Sequence, residues 1–591
     1  MRIKLAQLKL VTGDIEGNYA KIQDVLLQSM LNKDCDVIVY PETAFSGYCC
    51  GALWDRQEFI LDQEKKIHKL FMIAPPELCI IIGFVSYHGQ RKNGFPRLRN
   101  SVAVINNGRI QVYDKQLLAN TGHHEERKYF EEGTYSKVFK VYLQGNKEYT
   151  IGTPICEDCW YMDHTRNIPQ EMKDLGAQIL ISVNQSYFYY SKNFVRDELY
   201  RGMSYTLNIP VVSVNAVGLG DIGKNILIYD GNSMCYDKGG GIITCLKSFE
   251  EDVKIVEPFI DRPYTSDFVY TSIESYAKSN KYKEITEALI FALKEMYELN
   301  GNKRPQVHLS GGLDSSIVVA LLSLAFDKDR IVAITNPSSY NTKKIFDNVT
   351  HMVEKLGLTL YNEPIQDIYE KILEVDKNSF TTELTEAAKS CMQATLRTCL
   401  GLYNCHRFNS LLVSTTNHTE LCLGFSAYLD ISYAGVMALI ADLSKTECYE
   451  LSKYLNDQIF KDEVIPYSLY NSKCKPSAEL PDSQGVDPID YLIQSGLCCE
   501  IIRKNKSKNQ LVKDFLNKTL TPDYFPVLKV YDNKSIYEYC DFPTFSKEID
   551  KSFKGLKNSV FKTAQCPPVP LISPYNRGFS KRETLINKYS Y

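Results

Sequence analysis

The stretch 304–326, RPQVHLSGGLDSSIVVALLSLAF, constrains the fold of this chain more than any other. A β-type run, a Gly-rich turn and an apolar helical run follow one another without a break. Gly311 and Gly312 free the turn. The helix aims its positive end at it, and Ser310, Ser315 and Ser316 add donors, so the segment encodes an anion cradle. It is not the cradle G-x-x-x-x-G-K-[ST], because the loop has no Lys. Asp314 beside a phosphate would repel it unless a divalent cation bridges the two, so Mg2+ is expected with the phosphate. Further on, 331–334 reads as a strand, 343–356 as a helix, 358–361 as a strand and 411–415 as another. This β-α-β-α-β series predicts a doubly wound sheet.

One such sheet cannot absorb 591 residues, and two large domains are expected. Residues 1–250 alternate short apolar runs (3–8, 37–40, 80–85, 102–105, 179–183 and 211–214) with longer polar or helical stretches, as a layered α/β domain does. The domains are expected at 1–255 and 276–591, joined by a linker at 256–275, with a helix from Tyr276 to Asn300. Gly218-Leu-Gly220-Asp-Ile-Gly223 fits G-x-G-x-x-G, but a strand-like run follows it instead of a helix. It therefore predicts a hairpin or loop, not a dinucleotide site. The basic run 503–510, RKNKSKNQ, predicts a solvated turn.

A net charge of -3 gives no reason to expect nucleic acid or an anionic membrane as partner. No run approaches the ~18 apolar residues of a membrane span. The start lacks the apolar core of a secretion signal, and the 18 Cys follow no disulfide framework. A cytoplasmic protein with free thiols is expected. Cys156-x-x-Cys159 has no second pair at zinc-ribbon spacing.

Three segments of the first half carry reactive groups. In TIGTPICEDCW, Cys156 lies where a strand gives way to a turn, and backbone N–H groups there can hold an oxyanion. VIVYPETAFSGY places Glu42 just after a buried strand, where a carboxylate can act as base. VYDKQLLANTGHHEERKYFEEG places Lys115 at the end of another strand, where an ammonium can stabilise a tetrahedral intermediate. In this order the segments resemble the nitrilase superfamily. The resemblance implies an α-β-β-α sandwich and a catalytic Glu42, Lys115 and Cys156. SYFYYSKNFVR and NAVGLGDIGKNILIYDGNS resemble two further family segments, and Ser186 and Arg196 would bind glutamine. Thr121 stands where the family places a pocket Tyr, and Tyr187 where it places a Pro.

SGGLDSS is the signature of the ATP-pyrophosphatase family. The resemblance implies a Rossmann-like parallel sheet, ATP and Mg2+, and transfer of AMP to a carboxylate. Downstream, LLVSTTNHTELCLGF, IADLSKTECYELSKYL, KPSAEL and MQATLR resemble NAD synthetase segments. By that resemblance Ser310, Gly311, Gly312, Asp314, Ser315, Ser316, Thr415 and Lys445 bind ATP, and Ser477 lies in a loop over the phosphates. Asp314 and Glu420 hold the metal, and Arg397, Glu420 and Lys562 contact deamido-NAD, the acid that is amidated. Departures are Ser390, Cys391 and Thr395 for Glu, Asn and Arg, and His418 for Lys; Asp430 is the nearest carboxylate in an altered segment. The implied partners are glutamine, deamido-NAD and ATP, with a homo-oligomer built on the synthetase domain. Two other readings stay open: a ligase acting on another carboxylate, and a non-catalytic scaffold. The intact Glu42, Lys115, Cys156 and SGGLDSS stand against the scaffold.

Overall fold

The computed structural model describes residues 1–120, 123–260, 272–425, 430–471, 489–528 and 532–574. The chain divides into two compact units, Met1–Ile222 with Leu227–Lys281, and Gly223–Ile226 with Tyr282–Tyr591. Most of the expected linker lies outside the described residues. The expected helix after it runs over Ile273–Leu299.

The strands of the first half are β1 (Ile3–Gln7), β2 (Val37–Val39), β3 (Cys79–Gln90), β4 (Pro96–Asn106), β5 (Arg109–Asp114), β6 (Val138–Leu143) and β7 (Lys147–Gly152). They continue as β8 (Ile179–Asn184), β9 (Val211–Asn215), β10 (Val217–Ile222), β11 (Asn225–Asp230), β12 (Met234–Tyr236), β13 (Ile242–Cys245) and β14 (Asp252–Val256). Two six-stranded sheets result, ordered β14-β1-β2-β3-β4-β5 and β13-β12-β9-β8-β7-β6. Alternation explains the layering. Ile3, Leu5, Val37, Val39 and Ile81 share one core with Ile181, Val183, Val212 and Val214 of the other sheet. Their chain neighbours Ala6, Ile38, Ile80 and Ile82 face the opposite way, onto Ile15, Tyr19, Ile22 and Leu26. Those four form one stripe of the helix Ile15–Asn32, which Asp14 caps by accepting from Gly17 N. Each apolar run expected to be a strand is one. The G-x-G-x-x-G segment spans β10 and the turn into β11, a strand-turn-strand with no helix to present to a dinucleotide.

The second unit contains β15 (Arg304–His308), β16 (Val332–Thr335), β17 (Leu360–Asn362), β18 (Ser410–Ser414) and β19 (Met437–Ala438), all parallel in the order β17-β16-β15-β18-β19. The order reverses between β15 and β18, and ligands of such sheets sit at the carboxyl ends of the strands there. The helix Lys343–Leu356 covers the residues expected and stops at Gly357 in the left-handed region, φ 63°. Helices Tyr491–Lys504, Lys508–Asn517 and Phe542–Asn558 share a separate core, in which Phe515 stacks on Phe545 at 4.2 Å.

The basic run 503–510 corrects one expectation. Only its middle is a turn, closed by Ser507 as cap of the next helix. Arg503 is buried and donates to Glu447 Oε1 at 2.9 Å and to the Asp442 carbonyl at 2.6 Å. No helix among the described residues is long and apolar enough to cross a membrane.

Candidate active sites

In the first unit Lys115 is fully buried between two carboxylates. Its Nζ donates to Glu42 Oε1 and to Glu126 Oε1, each at 2.9 Å. Asn100 Nδ2 reaches the same two oxygens at 2.7 and 3.0 Å. Gln185 N donates to the second oxygen of Glu42 at 2.8 Å, and Ala119 N to that of Glu126 at 2.6 Å. Burial opposes the charge on Lys115, but Glu126 and Glu42 outweigh it and hold the ammonium well above its ordinary pKa. Burial pushes Glu126 up, against the pull of Lys115. Glu42 can sit here because residue 83 is Gly: a Cβ there would lie 2.5 Å from Glu42 Cα.

Cys156 begins a short helical turn, Cys156–Cys159, that follows β7. Its φ is +41°, a strained value for a residue with a side chain, and such outliers gather where geometry serves chemistry. Burial, then the Glu42 charge, raise the thiol well above its usual pKa, with Lys115 pulling the other way. Glu42, Lys115 and Cys156 thus form one electrostatic cluster, with the sulfur protonated at rest.

Asp158 fixes the cluster. Oδ1 accepts from Gln116 N at 3.1 Å and Leu117 N at 2.9 Å, and Oδ2 from Tyr113 OH at 2.8 Å and Ile155 N at 3.0 Å. One buried carboxylate thereby ties the residues after Lys115 to the residue before Cys156. Asp158→Ala strands four donors, each costing about 1–3 kcal/mol when buried unpaired. The expected result is a loss of about 3 kcal/mol or more, read by chemical denaturation, together with loss of reactivity at Cys156. A change within about 0.5 kcal/mol would show that the bracket carries no weight.

Ser186 and Arg196 lie beside this cluster. Ser186 N donates to Asn215 Oδ1 at 2.9 Å. Arg196 pairs with Asp230 at 2.9 Å and donates to the carbonyls of Ser186 at 3.0 Å and Tyr187 at 3.2 Å. Tyr187, the departure from the family Pro, packs on His124 at 5.0 Å and His123 at 5.5 Å. Burial, with Lys192 nearby, lowers His123 to about 4, so it is neutral. Thr121 lies outside the described residues.

In the second unit the turn after β15 leads into the helix Leu313–Ala325, with Gly312 as its cap. Ser310 Oγ lies 3.1 Å from Ser315 Oγ and accepts from Gly312 N at 3.3 Å. Gly311 has φ +73°, and a Cβ there would meet the Ile345 carbonyl at 2.3 Å. Ser316 Oγ donates to the Gly312 carbonyl at 2.8 Å. Asp314 forms an ion pair with Lys445, whose Nζ also lies 3.8 Å from Glu420. Asn417 Nδ2 donates to Asp314 Oδ1 at 3.2 Å and caps the helix that carries Glu420. Burial opposes the charge on Lys445, but Asp314 and Glu420 raise its pKa. Thr415 follows β18 at the switch point. The structure thus gathers Asp314, Glu420 and Lys445 at the carboxyl ends of β15 and β18.

Arg397 and Lys562 are each tied to a backbone carbonyl. Arg397 Nε donates to the Asn336 carbonyl at 3.2 Å, and Lys562 Nζ to the Gly424 carbonyl at 2.7 Å. Burial lowers both cations and Asp430 raises both, so the altered-segment carboxylate faces this pair. Thr395, which replaces an Arg of the family segment, donates to the Cys391 carbonyl of its own helix at 2.9 Å. His418 is buried, 3.6 Å from Cys422 Sγ. Ser477 lies outside the described residues. Sequence reasoning passed over Glu126, Asn100 and Asp158. Glu126 stands in the charged run HHEERKYFEEG, where only its burial sets it apart.

Residues 2–267 match the carbon-nitrogen hydrolase family and residues 285–518 the NAD synthase family. The glutamine-dependent NAD(+) synthetase of Synechocystis sp. is 28% identical over 524 residues, 86% of this chain and 90% of that one. The Aquifex aeolicus enzyme of the same name is 27% identical over 624 residues, covering all of both chains. Among solved structures, the Acinetobacter baumannii glutamine-dependent NAD+ synthetase with adenosine diphosphate has TM-score 0.69 and 22% identity over 99% of this chain and 98% of that one. The Cytophaga hutchinsonii glutamine-dependent NAD(+) synthetase has TM-score 0.76 and 18% identity over 100% and 98%. A hydrolase part and a synthase part stand in that order on one chain, and relatives of the same make-up match along their length; the chain belongs to the glutamine-dependent NAD(+) synthetases.

Proposed function

We propose that the chain converts deamido-NAD to NAD with ATP and glutamine, releasing AMP, pyrophosphate and glutamate. The observation that carries this reading is the buried Glu42–Lys115–Glu126 cluster around Cys156, on the same chain as a nucleotide cradle holding Asp314, Lys445 and Glu420. At the first site Glu42 takes the Cys156 proton as the sulfur attacks the side-chain amide of glutamine. Lys115 and backbone N–H groups of the turn at Cys156 hold the oxyanion. Glu42 then protonates the leaving ammonia, and water, activated by the same carboxylate, releases glutamate from the thioester. Ser186 and Arg196 shape the glutamine pocket, Arg196 by bracing the carbonyls of the 186–187 turn.

At the second site Ser310, Gly311, Gly312, Ser315, Ser316, Thr415 and Lys445 bind ATP. The nicotinate carboxylate of deamido-NAD attacks the α-phosphorus, pyrophosphate leaves, and ammonia displaces AMP from the mixed anhydride. Arg397, Glu420 and Lys562 bind the dinucleotide. Asp314 and Glu420 supply hard oxygen donors to one spot, each side chain 17% exposed. Among the described residues no cluster of three or more metal-binding side chains stands there. That suits Mg2+, which completes its shell with phosphate and water. Bound by these two carboxylates, it would neutralise charge on the departing pyrophosphate. We place the domains at 1–255 and 276–591 with 256–275 between them, the protein in the cytoplasm, and its assembly as a homo-oligomer through the synthetase domain.

The test is pyrophosphate release with deamido-NAD against a panel of other carboxylic acids, with glutamine present. Deamido-NAD should be turned over well ahead of the rest. No release with it, or a faster rate with another acid, would replace this reading with that of a ligase for a different carboxylate. The altered segment around Thr395 and Asp430 is where such a change of acid would be written.

A further inference from the structure

Lys445 is the first residue of the helix Lys445–Tyr454, so the place of its ammonium depends on how residues 442–447 are fixed. Three elements of the second unit hold that stretch. Ser444 caps the helix in a box with Glu447, and Arg503 grips Glu447 at 2.9 Å from Nη1 and 3.0 Å from Nη2. The helix that carries Glu420 touches the stretch twice. His418 N donates to the Leu443 carbonyl at 2.7 Å, and Lys445 N donates to Thr419 Oγ1 at 3.1 Å. The third hold comes from the far end of the described chain. Asp442 Oδ2 accepts from Ile572 N at 2.8 Å and from Ser573 N at 2.7 Å, and Oδ1 accepts from Ser573 Oγ at 2.7 Å.

This last hold is not needed to start the helix, which already has its cap in Ser444. Asp442 is 1% exposed, and a carboxylate buried so deeply costs stability unless it is well partnered. Burial raises its pKa, and Arg503 pulls the other way. Arg503 comes no closer than 4.0 Å to Asp442 Oδ1; its shorter bonds go to Glu447 and, at 2.6 Å, to the Asp442 carbonyl. Among the described residues, every hydrogen bond that the Asp442 carboxylate accepts comes from Ile572 or Ser573. Both of these are buried at the end of the segment Val569–Ser573. The clasp is therefore a dedicated tie between that segment and the stretch that presents Lys445. Its position makes it informative. Lys445 stands three residues on, with its ammonium between Asp314 and Glu420. A cation that meets developing negative charge has to be in place beforehand, and a shift of ~1 Å can lower the rate about a hundredfold.

We propose that Asp442 is a positioning residue for the synthetase reaction: clasped to Ile572 and Ser573, it sets the first turn of the helix Lys445–Tyr454 and so makes the C-terminal segment Val569–Ser573 a working part of the ATP site. This rests on the reading of Lys445 as an ATP contact. Asp442 acts through Lys445, and no covalent step is involved.

The experiment uses the full chain and follows pyrophosphate release from ATP and deamido-NAD with ammonium as nitrogen donor. Ammonia release from glutamine by the same preparation reports the fold of the first unit. Asp442→Asn turns an amide NH2 toward the N–H groups of Ile572 and Ser573, and should lower kcat roughly 10- to 100-fold. A residue that only held the fold together would lower turnover whatever stands at position 445. The double variant Asp442→Asn, Lys445→Met should instead lie within about twofold of Lys445→Met alone, because the ammonium to be positioned is already gone. A double variant slower than that, or an unchanged kcat in Asp442→Asn, would overturn the assignment. If Asp442→Asn does not fold, Ser573→Ala decides through the same cycle. It removes one of the three bonds and should lower kcat about 3- to 10-fold, a loss that has to vanish in the Lys445→Met background. Wild-type pyrophosphate release by Lys445→Met alone would bring down the reading of Lys445 as an ATP contact, whereas failure of the positioning role leaves that loss intact.

Discussion

With Cys156 replaced by Ala, glutamine-supported NAD formation falls by about ten-thousand-fold or more, while formation from ammonium chloride stays within about twofold of the wild type. The size of the first effect follows from covalent catalysis. Glu42 and Lys115 remain, but the amide has no nucleophile to attack it, and an oxyanion site alone retains only a small part of the rate. The second result follows from the division of labour, because adenylation of the acid needs no thiol. The substitution is mild for the fold: a buried sulfur is lost from a turn held by the four hydrogen bonds of Asp158. Both numbers come from one NAD assay run with either nitrogen source. Failure of ammonium to support turnover would mean that the chain cannot use nitrogen from outside, and full glutamine activity would remove Cys156 from the chemistry.

Lys445→Met is expected to act on both nitrogen sources alike. Lys445 is buried with Asp314 on one side and Glu420 on the other. In the free enzyme its loss leaves two carboxylates facing each other, and breaking a buried pair in this way costs roughly 3–5 kcal/mol. With ATP bound, the same change removes a cation from a site crowded with negative charge, which lowers turnover about a hundred- to a thousand-fold. Pyrophosphate release with ammonium as donor isolates this step from glutamine chemistry. Normal release would assign Lys445 to packing alone. Met keeps the aliphatic stem and its contact with the Tyr491 ring, over which the ammonium lies at 5.1 Å, so the loss reports charge and not a cavity.

The sequence was readable where one local pattern decides. β2 and β3 alternate between two cores, and their uninterrupted runs of Val and Ile declare burial on both faces at once. The helix Lys343–Leu356 ends at a Gly whose positive φ could be expected from its residue type. Glu42, Lys115 and Cys156 were brought together only by the family resemblance of their three segments, because each residue taken alone reads as an ordinary core or surface position. Groups defined by a distant partner were not legible. Glu126 looks like surface charge until the backbone of Ala119 closes over it, and Arg503 belongs to an apparently solvated run until Glu447, 56 residues away, reaches it.

β14 pairs antiparallel with β1 over Ile3–Val256 to Gln7–Asp252, and so covers the outer edge of the strand that starts the first sheet. Its own free edge carries Asp252 and Lys254, charges that discourage further strand addition. A fragment cut before residue 252 would trade this blunted rim for the bare, apolar backbone of β1. Such a fragment should aggregate edge to edge, however complete its reactive residues. A stand-alone glutaminase therefore has to be cut beyond Val256.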